Sequence, residues 1–173
     1  MSKVHGHRGG RRERGQAMVE FALVAAPLFL ILFGIIQLGY LFGGQNGLSN
    51  AAREAARYAS TLPTPSTSVA TANRMLVLDR LTNVNLRQYI AGFRTGNLVT
   101  GVTDTRVEYC RRPVASRYTV HVRVHVAYRH PLFIPLVGRL FSSTDTWQLG
   151  AVEEMRVEGP DRSNASSTGF ATC

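Results

Sequence analysis

The sequence has none of the residue patterns that usually mark an enzyme. It contains no GxSxG nucleophile motif, no phosphate-binding loop, no HExxH zinc motif and no pair of carboxylates spaced for acid–base catalysis. His121 and His125 are four residues apart, but on a strand they would stand about 13 Å apart, too far to share a metal ion. We therefore expect a protein that is not an enzyme and that binds neither a metal nor a cofactor.

Charged residues are absent from the whole run between Phe21 and Gly44. A helix of that length spans about 36 Å, which exceeds the roughly 30 Å of a bilayer core. The apolar region of a secretory signal peptide is shorter, at about 7 to 15 residues. We predict a transmembrane helix over residues 16–44.

The charges that precede this helix predict its orientation. The first 15 residues contain one acidic residue, Glu13, and five basic residues: Lys3, Arg8, Arg11, Arg12 and Arg14. The positive-inside rule then keeps the leader, residues 1–15, in the cytoplasm and places the chain beyond about residue 45 outside. The net charge of +9 includes this leader, and the remainder forms no basic patch with interleaved aromatics. We do not expect nucleic-acid binding.

Cysteine is scarce. Cys110 and Cys173 are the two cysteines of the chain, and an even number fits an extracytoplasmic compartment in which they pair. Their wide separation leaves two free thiols as an equal alternative.

The segment "RRERGQAMVEFALV" at residues 11–24 combines a basic leader, a glycine and a carboxylate inside an apolar run. A cut after Gly15 would make Gln16 the new N-terminus and Glu20 the fifth residue, which resembles a type IV prepilin-like signal. More closely, "GQAMVEFALVAAPLFLILFGIIQLG" and the later "LSNAAREAARYAS" resemble the TadE-like proteins, minor pseudopilins of the tight-adherence (Flp) pilus. Phe21 stands where related Flp pilins usually carry Tyr, which favours the TadE-like branch.

The resemblance implies a precursor in the cytoplasmic membrane that a prepilin peptidase cleaves after Gly15 while the helix is retained. It also implies that Glu20 pairs with the α-amine of Gln16, in the same or an adjacent subunit, and so sets the register of assembly. The implied partners are other pilin or pseudopilin subunits and the pilus assembly machinery. The alternatives are an uncleaved single-pass anchor, in which Glu20 lies at the headgroup level, and a domain secreted after cleavage near Ala51.

Small residues within and after the span have two interpretations. Gly39 and Gly43 form a GxxxG pair that permits close helix approach, although such a pair also arises by chance. Gly43, Gly44 and Gly47 lie between two helical stretches, so a hinge and one continuous rod are both open.

Residues 45–62 predict an amphipathic extension of the helix. Its small apolar face comprises Leu48, Ala52, Ala55 and Ala59. Close packing on the protein's own sheet or on a partner helix would bury this face. Pro63 and Pro65 end the extension.

Residues 63–160 predict an extracytoplasmic α+β domain. A second amphipathic helix is expected over 67–90, with Val77, Leu81 and Val84 on one face. Alternating residues predict strands at 105–109, 120–126 and 147–157, with an apolar loop or short helix at 130–141 and a flexible tail at 161–173. The fold class is α+β: a long N-terminal helix, a second helix and a small antiparallel sheet, which is the pilin-like plan.

Overall fold

The structure is a computed structural model, and it describes residues 10–64, 66–101, 104–133, 145–159, 162–163 and 169–173. Its first element, α1, is a helix from Gly10 to Thr61 that passes through Pro27 without interruption. Gly43, Gly44 and Gly47 all lie inside this helix, which is therefore a continuous rod rather than two helices joined by a hinge.

The two halves of α1 differ in what covers them. Between Gln16 and Ile36 nearly every side chain is exposed, including Phe21 at 72% and Val24 at 66%. From Leu48 onward one face is completely buried. Within the described residues α1 is the one helix long and apolar enough to cross a membrane, and its exposed half fits a single-pass membrane protein.

The second helical segment is confirmed, but it is not one regular helix. It comprises α2 (Thr67–Arg80), a π-helical turn (Leu81–Asn85) and α3 (Leu86–Tyr89). The π turn contains an extra residue and so rotates the phase of the residues that follow it. As a result Asn85 and Leu86 are buried, whereas Val84, predicted on the apolar face, is 49% exposed.

Three antiparallel strands form the sheet in the order β1 (Arg106–Val114), β2 (Arg117–Pro131) and β3 (Thr146–Arg156). The two-residue β4 (Arg162–Ser163) pairs with the start of β2, and a 3₁₀ turn at Thr95–Asn97 precedes the sheet. The loop predicted at 130–141 begins within β2, and residues 134–144 lie outside the described residues.

The core lies between α1 and the inner face of the sheet. Side chains alternate along β2, so that Val122 and Val124 are fully buried against α1 while the intervening residues face outward. The predicted small face of α1 packs on the protein's own sheet, and its members are completely buried: Leu48, Ala52, Ala55 and Ala59. The α+β plan predicted from the sequence is confirmed.

The C-terminus is attached to β1. Cys110 and Cys173 form a disulfide with a Cα–Cα distance of 5.0 Å. The Arg111 amide donates to the Ala171 carbonyl at 2.8 Å, and the Cys173 amide donates to the Arg111 carbonyl at 3.0 Å. Phe170 is buried, so residues 169–173 are held on the edge of the sheet. The rest of the predicted tail, apart from Arg162 and Ser163, lies outside the described residues.

Candidate assembly site on the long helix

The residues predicted to form the cleavage and register site lie at the exposed end of α1. Gly15 and Gln16 are helical and exposed. The Gln16 side chain donates from Nε2 to Glu20 Oε1 at 3.0 Å, as residues one turn apart on a helix can. Phe21 is exposed next to them. Residues 1–9 of the leader lie outside the described residues.

The glycine pair predicted for helix packing has open space where a side chain would stand. A Cβ added to Gly39 or Gly43 would meet nothing within 4 Å, and the same is true of Gly34. These glycines therefore leave the backbone of α1 accessible to another helix, and the described part of the domain does not occupy that space.

Two further glycines of α1 have a structural role that the sequence did not suggest. A Cβ on Gly44 would collide with the His130 ring, and a Cβ on Gly47 would collide with the Tyr89 carbonyl oxygen. Gly44 is four residues before Leu48, so it continues the buried face toward the N-terminus. The periodicity of that face was the signal that could have identified it.

Within the described residues, the contacts of the domain with the apolar half of α1 begin at Gln37. This side chain is 3% exposed, and its Oε1 accepts a hydrogen bond from the Phe133 amide at 3.0 Å. Three residues later, the Tyr40 hydroxyl donates to the Ala91 carbonyl at 3.4 Å, and the Tyr40 ring packs edge-on against His130 at 4.5 Å between centroids. Contact with the domain thus begins inside the span predicted to end at residue 44.

Polar contacts align β3 with the C-terminal half of α1. Gln45 Nε2 donates to the Gly150 carbonyl at 2.8 Å, and the Ser60 carbonyl accepts from the Glu158 amide at 2.8 Å. Between them, Arg53 Nε lies 2.9 Å from Glu153 Oε1. Glu153 interrupts the apolar face of β3 because it pairs with an arginine of the helix that packs there.

The outer face of the sheet has a charged cluster centred on Glu154. Its carboxylate accepts from Arg112 Nε and from Arg123 Nε, each at 2.7 Å, and lies 3.0 Å from His121 Nδ1. Hydrogen bonding from Arg112 is the main cause that lowers the Glu154 pKa to about 2, with Arg123 contributing further.

The two strand histidines occupy this same face but do not form a common site. His121 lies beside Glu154, while His125 Nε2 lies 3.5 Å from Glu108 Oε2. Partial burial is the main cause that lowers the pKa of both imidazoles. In the part of the chain that the structure describes, no group of three or more His, Cys, Asp or Glu side chains is arranged to hold a metal ion.

The architecture, an apolar helix that continues into a small α+β domain, fits a single-pass membrane protein. Residues 15–57 match the family model described as TadE-like protein. This match covers the exposed half of α1 and most of its buried half, and it confirms the family predicted from the sequence. The match to this family suggests involvement in Tad pilus systems. Comparisons with curated proteins and with solved structures found no match.

Proposed function

We propose that the chain is a minor pseudopilin of a Tad/Flp-type pilus, made as a membrane-inserted precursor with a cytoplasmic N-terminus and cleaved after Gly15 by a prepilin peptidase. Its role is structural rather than enzymatic: the cleaved helix joins or primes a filament of pilin subunits. The observation that carries the proposal is the exposed half of α1, which has Glu20 one helical turn from the predicted new N-terminus.

The carboxylate of Glu20 is the group whose surroundings cleavage would change. A carboxylate at a membrane edge needs a charged or hydrogen-bonding partner, and in the uncut chain it has the neutral Gln16 amide. Cleavage would add the α-amine of Gln16, whose ordinary pKa of about 8 keeps it largely protonated at neutral pH. An ion pair in a low-dielectric environment favours one register over others more than it adds stability. Glu20 thus gains a charged partner after cleavage.

The second candidate, an uncleaved membrane anchor, is favoured by one observation. The hydrogen bond from Gln16 to Glu20 already gives the carboxylate a partner in the intact chain. The secreted alternative is disfavoured because Ala51 is completely buried in the middle of the α1 packing face, and cleavage there would remove Gly47 and Leu48 from the core.

Substitutions at Gln16 and Glu20 test whether assembly depends on pairing of the Glu20 carboxylate with the side-chain amide of Gln16 or with its α-amine. Gln16→Ala removes the amide but keeps the amine that cleavage would create, so we expect it to enter pili normally. Glu20→Ala and Glu20→Gln should be cleaved but depleted from sheared pili, as measured by immunoblotting. Normal incorporation of both Glu20 variants would contradict the pairing.

A further inference from the structure

The domain carries exposed aromatic side chains where it meets the apolar half of α1. Phe42 is 67% exposed, Phe133 is 66% exposed and Trp147 is 44% exposed. We call these three residues the junction surface. Isolated exposed aromatics are common on soluble proteins. Whether these three indicate a membrane contact therefore depends on their height, by which we mean their position along the axis of α1.

The height of each residue follows from its contacts. The amide of Phe133 bonds to Gln37, which places Phe133 at that level of the helix. Trp147 precedes Gly150 on β3 by three residues, or about 10 Å, and Gly150 is held by Gln45. Because β3 and α1 run in the same direction, 10 Å corresponds to about seven helical residues. Trp147 therefore lies near the level of Leu38 and Gly39.

These heights can be compared with the thickness of a bilayer. The exposed helix from Ala17 to Ile36 is about 30 Å long, equal to a hydrocarbon core. If it fills that core, the interfacial zone begins at Gln37, where the described part of the domain first contacts α1. Phe133 and Trp147 then lie within a few ångströms of this boundary and Phe42 about 8 Å beyond it. Trp is one of the two residue types enriched in this zone of membrane proteins.

We propose that the junction surface is embedded in the interfacial zone of the outer side of the membrane, so that the domain rests directly on the bilayer. The occupant of this surface is the lipid headgroup and glycerol region. Arg94, Arg129 and Asp145 are exposed at the same end of the domain, so the charge is mixed. The proposal rests on the membrane span of the proposed function, but not on cleavage or pilus assembly.

The consequence is a fixed orientation of the domain on the membrane. Contact begins at Gln37 and continues without a flexible linker through a helix that has no break. The domain is thus held at one height and one tilt before assembly, with the open face of Gly39 and Gly43 close to the outer boundary of the bilayer.

The experiment uses the fluorescence of Trp147, since the chain contains one tryptophan. The full chain is reconstituted into phosphatidylcholine vesicles that carry bromine either near the carbonyl ends or near the methyl ends of the acyl chains. Two variants move the probe in a Trp147→Phe background: Phe29→Trp near the middle of the exposed helix, and Val114→Trp at the β1–β2 turn, far from the membrane.

We expect Trp147 to be quenched more by shallow than by deep bromine, Phe29→Trp to show the opposite order, and Val114→Trp to respond to neither. If Phe29→Trp is quenched while Trp147 behaves like Val114→Trp, α1 spans the membrane but the junction surface does not lie in the interfacial zone, and the proposal is wrong. Quenching of Trp147 mainly by deep bromine would also overturn it. If neither Phe29→Trp nor Trp147 is quenched, the membrane span itself fails, and the proposed function fails with it.

Discussion

Gly47 of α1 lies directly against the backbone carbonyl of Tyr89 at the end of α3, so that a Cβ at position 47 would collide with that oxygen. The contact fixes the long helix to the helical segment that covers its other side. Since the obstacle is backbone rather than the tip of a flexible side chain, it can be relieved only by moving one helix away from the other.

Gly47→Ala should therefore destabilise the domain by about 2 kcal/mol, the usual cost of forcing extra volume into a packed interface. The matched control is Gly43→Ala, one turn earlier on the same helix, where a Cβ would meet nothing within 4 Å. Its unfolding free energy should be unchanged or slightly raised, because Ala is the better helix former. Chemical denaturation in detergent measures the unfolding free energies of the two variants. Equal values would contradict the close approach of Gly47 to the Tyr89 carbonyl.

Removing the disulfide should have a larger effect. Cys110 and Cys173 are 63 residues apart in sequence, and in the chain-entropy model closing a loop of that length contributes about 4 kcal/mol. We expect the double substitution Cys110→Ser with Cys173→Ser to lower the denaturation midpoint markedly, and reductant to have the same effect on the unaltered chain. Reductant should leave the double variant unchanged. An unaltered midpoint in the double variant would show that the bond does not stabilise the domain.

The Glu154 cluster predicts a particular dependence of stability on pH. The pKa of Glu154 is lowered from 4.5 to about 2 in the folded chain. The carboxylate therefore stabilises the folded state above about pH 4.5, and this stabilisation is lost as the pH falls toward 2. Glu154→Gln should cost about 1 kcal/mol at pH 7, as for a surface charge network. This difference from the unaltered chain should shrink over that pH interval. Glu158→Gln, an exposed glutamate beyond the end of β3, is the control and should show no such trend.

Local sequence patterns predicted most of the elements but not the contacts between them. The alternation of Val120 to Val126 and the alanine periodicity after Leu48 each depend on neighbours within one element, and both predicted the correct buried face. Contacts between distant segments leave weaker local signals. Gly44 and Gly47 suggested a hinge because the residues they approach, His130 and Tyr89, are far away in sequence.

Two further features, one on the sheet and one in the second helix, left no local signal in the sequence. Glu153 interrupts the apolar face of β3, and no local pattern points to its partner Arg53, which lies on a helix 100 residues earlier. The π turn shifted the buried positions of the second helix from Val84 to Asn85 and Leu86, and no local proline or glycine marked it. By contrast, the TadE-like segment was recognisable because Gly15, Glu20 and the apolar run lie together in the sequence.

The central claim is cleavage after Gly15, and N-terminal sequencing of the membrane-associated protein tests it most directly. The chain is expressed in two matched hosts, one with and one without a prepilin peptidase, and with Gly15→Leu as the uncleavable control. The account predicts that the unaltered chain begins at Gln16 only in the host with the peptidase, and that Gly15→Leu keeps its leader in both. An intact leader on the unaltered chain in the presence of the peptidase would contradict it and would favour a permanent anchor.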